Sequence, residues 1–422
     1  MSLADPTLRV NDRAIDAAAA VDIAALRSDV EPWLSAIFQS EHLALLLGNG
    51  FTTAIAGRAG CPPVPMGMVD IRIEHADKVQ LRAEQLATAA RRGEPNIEDQ
   101  LRAALQLEGG LDVLEDPGAS QWRDAIGEAL AALVTAVLET ERAIHEAIAE
   151  RSDEGEAAAQ DLISFLLSFA SRAASRERLN VFTTNYDRLV EYGCDLVGLR
   201  PLDRFVGGLA PRFRASRLEV DMHYNPPGIR GEPRYLEGVL RLTKLHGSID
   251  WRYQDQELRR GALPFGASVA DSDLAATAYE SLIIYPNPAK DIETLEYPYA
   301  ELFRDLSASL CRPNSALVTY GYGFGDDHIN RIIVDMLAIP STHLVAIAYE
   351  DTGGRLEAFL KRNGRQSQVS LLVGRDLAGL ENLVKYFLPK PAIDTVTLRQ
   401  AELLRRRAVS AAGDDTITGA AS

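Results

Sequence analysis

Short apolar runs that end in glycine or polar residues recur along the chain. Such runs are typical of strands buried on both faces of a sheet, and helical segments such as YAELFRDLSASLC and HINRIIVDMLAI lie between several of them. This alternation predicts an α/β fold with a Rossmann-like, mostly parallel sheet flanked by helices. The predicted strands are residues 42–50, 179–187, 239–251, 280–287, 315–323, 342–350 and 367–374.

Residues 70–175 follow a different pattern, rich in alanine and leucine at helical spacing. At least four helices are predicted there, with breaks at Gly93-Glu94-Pro95 and Asp116-Pro117-Gly118. Because strand patterns stand on both sides of this stretch, we expect a helical insert within an α/β domain.

These patterns divide the chain into three regions. Residues 1–40 are predicted to form an N-terminal helical arm, and residues 41–390 one α/β domain that contains the insert at about 70–175. Residues 391–422 are predicted to form a C-terminal helix followed by a tail of small residues.

Composition narrows the class of protein. The 422 residues are 46% hydrophobic and 25% charged, as in ordinary globular proteins. The formal net charge is −16 and the basic cluster Arg405–Arg407 is short, so direct nucleic-acid binding is not expected. No stretch approaches the ~20 apolar residues of a membrane span, and the start of the chain lacks a signal-peptide pattern. We therefore expect a soluble, cytoplasmic protein that does not bind membranes.

The number and spacing of the cysteines bear on disulfides and metal sites. Cys61, Cys194 and Cys311 are far apart, odd in number and never part of a C-x-x-C pair. Neither a disulfide framework nor a structural zinc site is therefore expected, and no metal site is predicted.

The first candidate site is the glycine-rich turn Gly48-Asn49-Gly50-Phe51-Thr52-Thr53, which follows an apolar strand and should open a helix. Glycine lets the backbone approach a pyrophosphate, and a helix N-terminus offers N–H donors and the positive end of a dipole. The turn lacks the G-x-G-x-x-G pattern and the acidic ribose partner of dehydrogenases. On these residues alone, phosphate binding and a tight strand-to-helix turn are equally consistent.

The second candidate, Phe182-Thr183-Thr184-Asn185-Tyr186-Asp187, ends a predicted strand, where open α/β sheets bind ligands. Asn185 can donate and accept hydrogen bonds, and so can hold a ribose or an attacking water. Asp187 can accept from a hydroxyl, although an Asx turn or a helix cap also explains an aspartate at this place.

The third candidate is His246 in the segment Lys244–Trp251, at the end of a strand-like run and before a glycine. Histidine can act as a general base near neutral pH because its ordinary pKa is about 6.5. A buried structural histidine is the alternative, and it is the better interpretation for most of the seven histidines.

The fourth candidate is the segment Thr319–Asn330, in which a predicted strand runs into a glycine-rich turn and then a helix. This turn is a second possible cradle for phosphate or ribose. Asp326 or Asp327 can cap the following helix. In a separate segment, Asn96 is predicted to cap a helix whose first turn carries acidic residues.

Taken together and in this order, these segments resemble the sirtuin family. They are more closely similar to the sirtuin-like NADase domains of bacterial antiphage defence, over roughly residues 40–390 with gaps. The similar segments are GNGFT (48–52), NIED (96–99), TTNYD (183–187), LHGS (245–248) and GYGFGDDHIN (321–330).

The resemblance implies a role for each matching residue, with NAD as the substrate. Asn185 would place the nicotinamide ribose and the nucleophile, and His246 would act as the base or as a ribose contact. These two are the predicted catalytic residues. The predicted NAD-binding residues are Gly48, Asn49, Gly50, Phe51, Thr52, Thr184, Asp187, Gly321, Tyr322, Gly323 and Asp326.

The chain also departs from the sirtuin deacetylases, which carry a four-cysteine zinc module that helps to build the acyl-lysine groove. Here C-x-x-C pairs are missing, the helical insert stands in that place, and Asn49 replaces a small residue. The resemblance therefore implies an NAD+ glycohydrolase that uses water, without zinc. A non-catalytic module that senses NAD or ADP-ribose is the main alternative, and a protein deacylase is a weaker one.

An NADase that is always active would kill its host, so control by assembly or by a partner is expected. By analogy with the family, we expect a homo-oligomer and a separate partner such as a HerA-like ATPase. The biological role implied is NAD depletion in antiviral defence by abortive infection.

Overall fold

The computed structural model describes residues 6–10, 13–15, 23–89, 94–172, 176–215, 221–224, 234–254, 257–268, 282–284 and 297–390. The predicted C-terminal helix and tail, 391–422, lie outside these ranges, as does most of the predicted strand 280–287. Within the described ranges, no helix combines the length and apolar character needed to cross a bilayer.

Among the described residues, a sheet of nine strands forms the centre of the protein. Its seven strands from Val369–Val373 (β16) to Arg200–Leu202 (β5) run parallel, and Thr7–Val10 (β1) and Arg13–Ile15 (β2) add antiparallel at one edge. The order across the sheet is β2 (Arg13–Ile15), β1 (Thr7–Val10), β16 (Val369–Val373), β15 (His343–Ala348), β14 (Ser315–Tyr320), β3 (His42–Leu47), β4 (Asn180–Thr183), β10 (Val239–Lys244) and β5 (Arg200–Leu202).

Helices cover both faces of this sheet, which confirms the predicted α/β, Rossmann-like class. Single turns of other helix types occur at Ile23–Leu26, Thr352–Gly354, Gln366–Gln368 and Leu383–Phe387. The α-helices are α1 (Arg27–Phe38), α2 (Asn49–Arg58), α3 (Ala76–Ala89), α4 (Ile97–Val113), α5 (Gly118–Ala149), α6 (Asp153–Ala170), α7 (Leu189–Val197), α8 (Tyr299–Leu310), α9 (Asp327–Leu337), α10 (Arg355–Asn363), α11 (Arg375–Ala378) and α12 (Leu380–Asn382).

The central strands are buried on both faces, as their unbroken apolar runs predicted. In β3, Leu43, Leu45 and Leu47 join one hydrophobic cluster, whereas Ala44 and Leu46 join another on the opposite face. Each fully buried leucine contributes about 1.5–3 kcal/mol relative to an exposed one. This packing holds β3 and its neighbours in place, and with them the turns that follow each strand.

The region 239–251 differs from the prediction of one strand. The chain turns at Leu245-His246, so that β10 belongs to the large sheet and β11 (Gly247–Gln254) to a second sheet. Gly247 has a φ of +86°, a conformation that favours glycine and permits the turn. His246 therefore lies in a turn between two sheets.

The N-terminal region also differs, because it contributes strands as well as a helix. Helix α1 agrees with the predicted helical arm, but Thr7–Val10 and Arg13–Ile15 form β1 and β2. β1 pairs antiparallel with β16 and buries Leu8 against the core. Alternation over so few residues gave no clear strand signal.

The helical insert consists of α3 to α6, the number of helices that the sequence predicted as a minimum. Its own core surrounds Trp122 and Leu133, and it also includes Tyr186 and Ile249 from the α/β domain. The insert is therefore packed directly against the segment that follows β4.

A second sheet of five strands lies beside the end of β10. All its described pairings are antiparallel, and Phe213 and Trp251 bury aromatic rings beneath it. Its order is β13 (Leu282–Ile284), β11, β12 (Glu257–Arg260), β7 (Arg212–Phe213) and β6 (Phe205–Val206); β8 (His223–Tyr224) and β9 (Arg234–Tyr235) form a separate hairpin.

Candidate active-site cleft

Four polar turns meet at one edge of the large sheet. They follow β14, β3, β4 and β10, which are consecutive neighbours in the sheet. Parallel strands place their carboxyl ends at the same edge, where open α/β sheets bind ligands. The fold thus brings together the four segments that the sequence analysis selected.

The two glycine-rich turns are packed backbone against backbone. Gly50 N donates to Gly321 O at 3.1 Å, and Gly48 N donates to Tyr320 O at 3.2 Å. A Cβ added at Gly48 would lie 2.5 Å from Gly321 O, and one at Gly50 would lie 2.6 Å from Gly321 Cα. Close packing alone therefore requires these glycines, whether or not a phosphate approaches the same backbone.

Asn185 is buried and its amide is fixed in orientation. Its Nδ2 donates to Gly48 O at 3.1 Å and to Thr52 Oγ1 at 3.0 Å. Both amide hydrogens therefore have acceptors inside the protein. The carboxamide oxygen is left as the group that can accept from a ribose hydroxyl or a water.

Asp187 both accepts a hydrogen bond from a hydroxyl and accepts one from the backbone at a helix start, the two alternatives that the sequence allowed. Its Oδ2 accepts from Thr52 Oγ1 at 2.6 Å, and its Oδ1 accepts from the Leu189 N–H at 3.0 Å at the start of α7. Asn185 donates to the same Thr52 hydroxyl. The three side chains form one buried network that joins the turns after β3 and β4.

His246 is held by an aspartate from another strand end. Its Nε2 lies 3.0 Å from Asp326 Oδ2, with the histidine side chain 17% exposed and the aspartate 7%. Nδ1 makes no hydrogen bond within the part of the chain that the structure describes. A carboxylate in this position holds the imidazole in one orientation.

Asp326 is itself held firmly. Its Oδ1 accepts from the His328 and Ile329 N–H groups, so that it is the N-cap of α9, as predicted for one of the two aspartates. The adjacent Tyr322 hydroxyl lies 3.1 Å from Asn330 Oδ1 and is buried. Tyr322 therefore supports the turn from beneath.

The other predicted NAD-binding residues differ in accessibility. Asn49 and Gly323 are exposed, and Thr184 is half-buried. The Phe51 side chain is fully buried in the core and packs 5.3 Å from the ring of Phe165. Its side chain therefore contributes to the fold under the turn.

The helical insert contributes to the cleft in a way that the sequence analysis missed. Glu98, in the first turn of α4, accepts from the Tyr186 hydroxyl at 2.9 Å. Tyr186 lies between Asn185 and Asp187, and burial followed by the charge of Glu98 raises its pKa well above 10. The capping box of Asn96 and Asp99 fixes this helix start, as predicted. In the sequence, only the resemblance of the NIED segment indicated that the start of α4 lies near the site.

Lys244 was also missed, although it stands two residues before His246. It is buried, and its Nζ contacts the Asp187 carbonyl and lies 3.3 Å from Glu191 Oε1. A lysine at the end of an apolar strand was the available signal, because a buried cation needs partners. It fixes the backbone of the Asn185 segment from below.

A buried ion pair lies beneath the same segment. Glu141 of α5 accepts from the Arg188 backbone N–H at 2.7 Å and from its Nη2 at 2.5 Å. Burial raises the pKa of Glu141 to about 7, and the neighbouring Arg188 charge opposes that rise. This pair connects the helical insert to the residue after Asp187.

Metal ligands were not predicted, and the structure adds two observations. No group of three or more His, Cys, Asp or Glu side chains that could hold a metal ion occurs among the described residues. Cys61, Cys194 and Cys311 are free thiols. Burial raises the pKa of the Cys194 thiol to about 12, so that this thiol stays protonated near neutral pH.

A family model described as a SIR2-like domain matches residues 179–367. This part includes β4 with Asn185, β10 with His246 and β14 with Asp326, whereas Gly48 and the helical insert precede it. No curated protein matches the chain. The match and the cleft together support a sirtuin-like family and an NAD-related activity for this chain.

Proposed function

We propose that the protein binds NAD+ across this cleft and hydrolyses the bond between nicotinamide and ribose. The products are nicotinamide and ADP-ribose. One observation carries the proposal: Asn185, fixed by its own hydrogen bonds, and His246, paired with Asp326, follow the neighbouring strands β4 and β10 of a SIR2-like region.

The cleft offers separate places for the parts of the dinucleotide. The phosphates would lie at the start of α2, near Gly48 and Asn49, where the helix dipole favours negative charge. The nicotinamide ribose would lie beside Asn185 and Asp187. Thr184 and the exposed Gly323 border this space.

The reaction itself needs few groups. The bond from ribose C1′ to the nicotinamide nitrogen breaks, its electron pair leaves with nicotinamide, and the ribose gains oxocarbenium character. A water oxygen then bonds to C1′ and His246 takes the released proton. Asn185 accepts a hydrogen bond from the water or the ribose, and Asp326 stabilises the imidazolium that forms.

Water, and not acyl-lysine, is the proposed acceptor. The sequence contains no C-x-x-C pair from which the zinc module of a deacetylase could be built. The helical insert instead packs against Tyr186 and places Glu98 at the cleft. This arrangement supports hydrolysis over deacylation.

The proposed biological role rests on the resemblance to antiphage sirtuin-like NADases. We propose that the protein depletes NAD in the cytoplasm of infected cells, as a homo-oligomer controlled by a separate protein such as a HerA-like ATPase. The helical insert, the N-terminal region and the C-terminal segment are the candidate contacts.

Nicotinamide release from NAD+ by the purified chain tests the proposal, alone and with the protein encoded beside it. His246→Ala should lower turnover by about 10²–10⁴-fold, the usual contribution of one general base. His223→Ala, on the β8–β9 hairpin outside the two main sheets, is the control.

Each outcome separates the candidate functions. Release by the wild type and the control, but not by His246→Ala, supports hydrolysis; release only with the neighbouring protein adds control by a partner. Tight NAD binding without release in any condition would favour the sensor. Full activity of His246→Ala would remove the histidine from the mechanism.

A further inference from the structure

Three arginines stand in register across the small sheet. Arg252 of β11 lies opposite Arg259 of β12, and Arg259 lies opposite Arg212 of β7. Directly opposite residues of antiparallel strands place their side chains on the same face, where like charges destabilise the pair. The row therefore concentrates positive charge in a chain whose net charge is −16.

Among the described residues, Glu257 forms ion pairs with two arginines of this row. Glu257 lies 2.9 Å from Arg212, 3.5 Å from Arg259 and 3.6 Å from the neighbouring Arg214. Within the described part of the chain, no carboxylate forms an ion pair with Arg252, and its buried Nε has no hydrogen-bond acceptor. The cation at one end of the row is thus left without a counter-charge.

A cleft of about 300 Å³ opens beside Arg252 and Arg259, with Arg260 and Asp250 also in its wall. Asp250 is 6% exposed; its Oδ2 lies 3.5 Å from Arg260 Nε, and its Oδ1 is buried without a donor. Clefts that hold small ligands have volumes from about 300 Å³ upward. The wall therefore combines Arg252, which has no carboxylate partner among the described residues, with one acceptor.

We propose that this cleft binds a phosphorylated small molecule of sugar-phosphate or mononucleotide size. The phosphate lies against Arg252 and Arg259, because the planar guanidinium group matches phosphate oxygens with paired N–H donors. A hydroxyl of the same molecule donates to the carboxylate of Asp250, which lines the same cleft. One ligand then supplies a counter-charge to Arg252 and a donor to Asp250.

This site is separate from the proposed NAD cleft and does not rest on NAD hydrolysis. The NAD cleft lies at the carboxyl ends of the parallel strands, whereas the arginine cleft lies on the small antiparallel sheet. They meet at Leu263, which lines the arginine cleft and whose carbonyl accepts from Arg188 beneath the NAD cleft.

Calorimetric titration of the full chain with ribose 5-phosphate tests the site, with ADP-ribose present in excess to occupy the NAD cleft. Arg252→Gln should weaken binding about tenfold or more, since hydrogen bonds to charged groups are strong. Arg252→Lys keeps the charge and should retain most of the affinity. Arg362→Gln removes an exposed arginine of α10 and is the control.

Binding of about one ribose 5-phosphate per chain, lost in Arg252→Gln and kept in Arg362→Gln, supports the proposal. Equal binding by the wild type and Arg252→Gln, with both melting alike, would overturn it. Binding that depends on Arg252 for a single-stranded oligonucleotide, but not for ribose 5-phosphate, would overturn the small-molecule class. If ADP-ribose does not bind, only the NAD proposal is contradicted. The effect of Arg252→Gln on ribose 5-phosphate binding can still be measured.

Discussion

The two proposed binding regions of this protein balance their charges in opposite ways. In the NAD cleft, polar groups satisfy one another: Asn185 and Asp187 share the Thr52 hydroxyl, and His246 has Asp326. In the arginine cleft, Arg252 has no carboxylate partner among the described residues. The first region is organised before any ligand arrives, as chemistry requires. The second leaves a charge that a ligand can neutralise, as binding of an anion requires.

The two regions also differ in the residues that support them from beneath. The NAD cleft rests on a buried ion pair, Glu141–Arg188, and on Lys244, which contacts the carbonyl of Asp187. The row of arginines lies on β11, β12 and β7, and two of its members share Glu257 at the surface. We therefore expect substitutions under the first region to cost stability and those in the second to cost little.

The largest expected effect comes from Glu141→Ala. The substitution leaves the guanidinium of Arg188 buried without its carboxylate, and loss of one partner of a buried pair costs about 3–5 kcal/mol. Denaturant unfolding of the variant checks this, beside Glu139→Ala, which removes an exposed carboxylate of the same helix. An equal loss in the free energy of unfolding in the two variants would show that the buried pair does not support the cleft.

The same residue predicts a dependence on pH. Burial raises the pKa of Glu141 from 4.5 to about 7, so the folded protein binds this proton more tightly than the unfolded chain does. Its contribution to the free energy of unfolding is therefore present at low pH and is lost as the pH rises from about 4.5 to 7. Glu141→Gln cannot titrate there, and the difference between its stability and that of the wild type should change across this window. A constant difference would contradict the raised pKa.

Asp326→Asn tests the other buried pair of the cleft. Asparagine can still cap α9, but it cannot stabilise the imidazolium of His246, and we expect kcat for NAD hydrolysis to fall about 10²-fold. Because Asp326 acts through His246, KM should change little. Asp327→Asn, at the exposed neighbouring position, should keep the wild-type kcat. A rise in KM at constant kcat would instead make Asp326 a substrate contact.

Gly50→Ala should have an intermediate effect. Its Cβ would lie 2.6 Å from the Gly321 backbone, and overpacking of this kind costs about 1–3 kcal/mol. Gly57, in the same helix, has no atom within 4 Å of an added Cβ. Gly57→Ala should therefore stabilise the helix by about 0.5–1 kcal/mol. Thermal unfolding of both variants should give shifts of opposite sign, and shifts of the same sign would exclude the packing argument.

The fold could be predicted from the sequence where hydrophobic pattern alone decides it. The apolar residues of β3, β4, β14, β15 and β16 are buried, and their runs predicted the parallel sheet. The turn at His246 could not be predicted, because the pattern does not show that a strand leaves one sheet for another. Here the left-handed conformation of Gly247 decides the direction of the chain.

The candidate site was predictable in its members but not in their pairing. Polar residues at strand ends selected Asn185, Asp187 and His246, because parallel strands end at one edge of a sheet. The partners depend on the order of the strands across the sheet and on the path of the turns that follow them. Asp326 follows β14 and His246 follows β10, with β3 and β4 between them, so their contact was not visible in the sequence. The row of arginines was missed for the same reason, since Arg212 lies 40 positions or more before Arg252 and Arg259 along the chain and meets them only through strand register.

The smallest expected effect is on the stability conferred by that row. Without a ligand, Arg252→Gln removes one like charge from an antiparallel pair and should raise the free energy of unfolding by about 0.2–1 kcal/mol. The gain should shrink at high salt, where exposed charges are screened, and Arg252→Lys should not show it. Chemical denaturation at two salt concentrations, with and without ribose 5-phosphate, measures the effect of the like charges on stability and the stabilisation by the ligand.

If Arg252→Gln stabilises the free protein and weakens ribose 5-phosphate binding, Arg252 lowers the stability of the free protein. Such a loss of stability is expected of a binding residue. If Arg252→Gln instead destabilised the free protein, Arg252 would have a structural partner, and the contrast between the two clefts would fail.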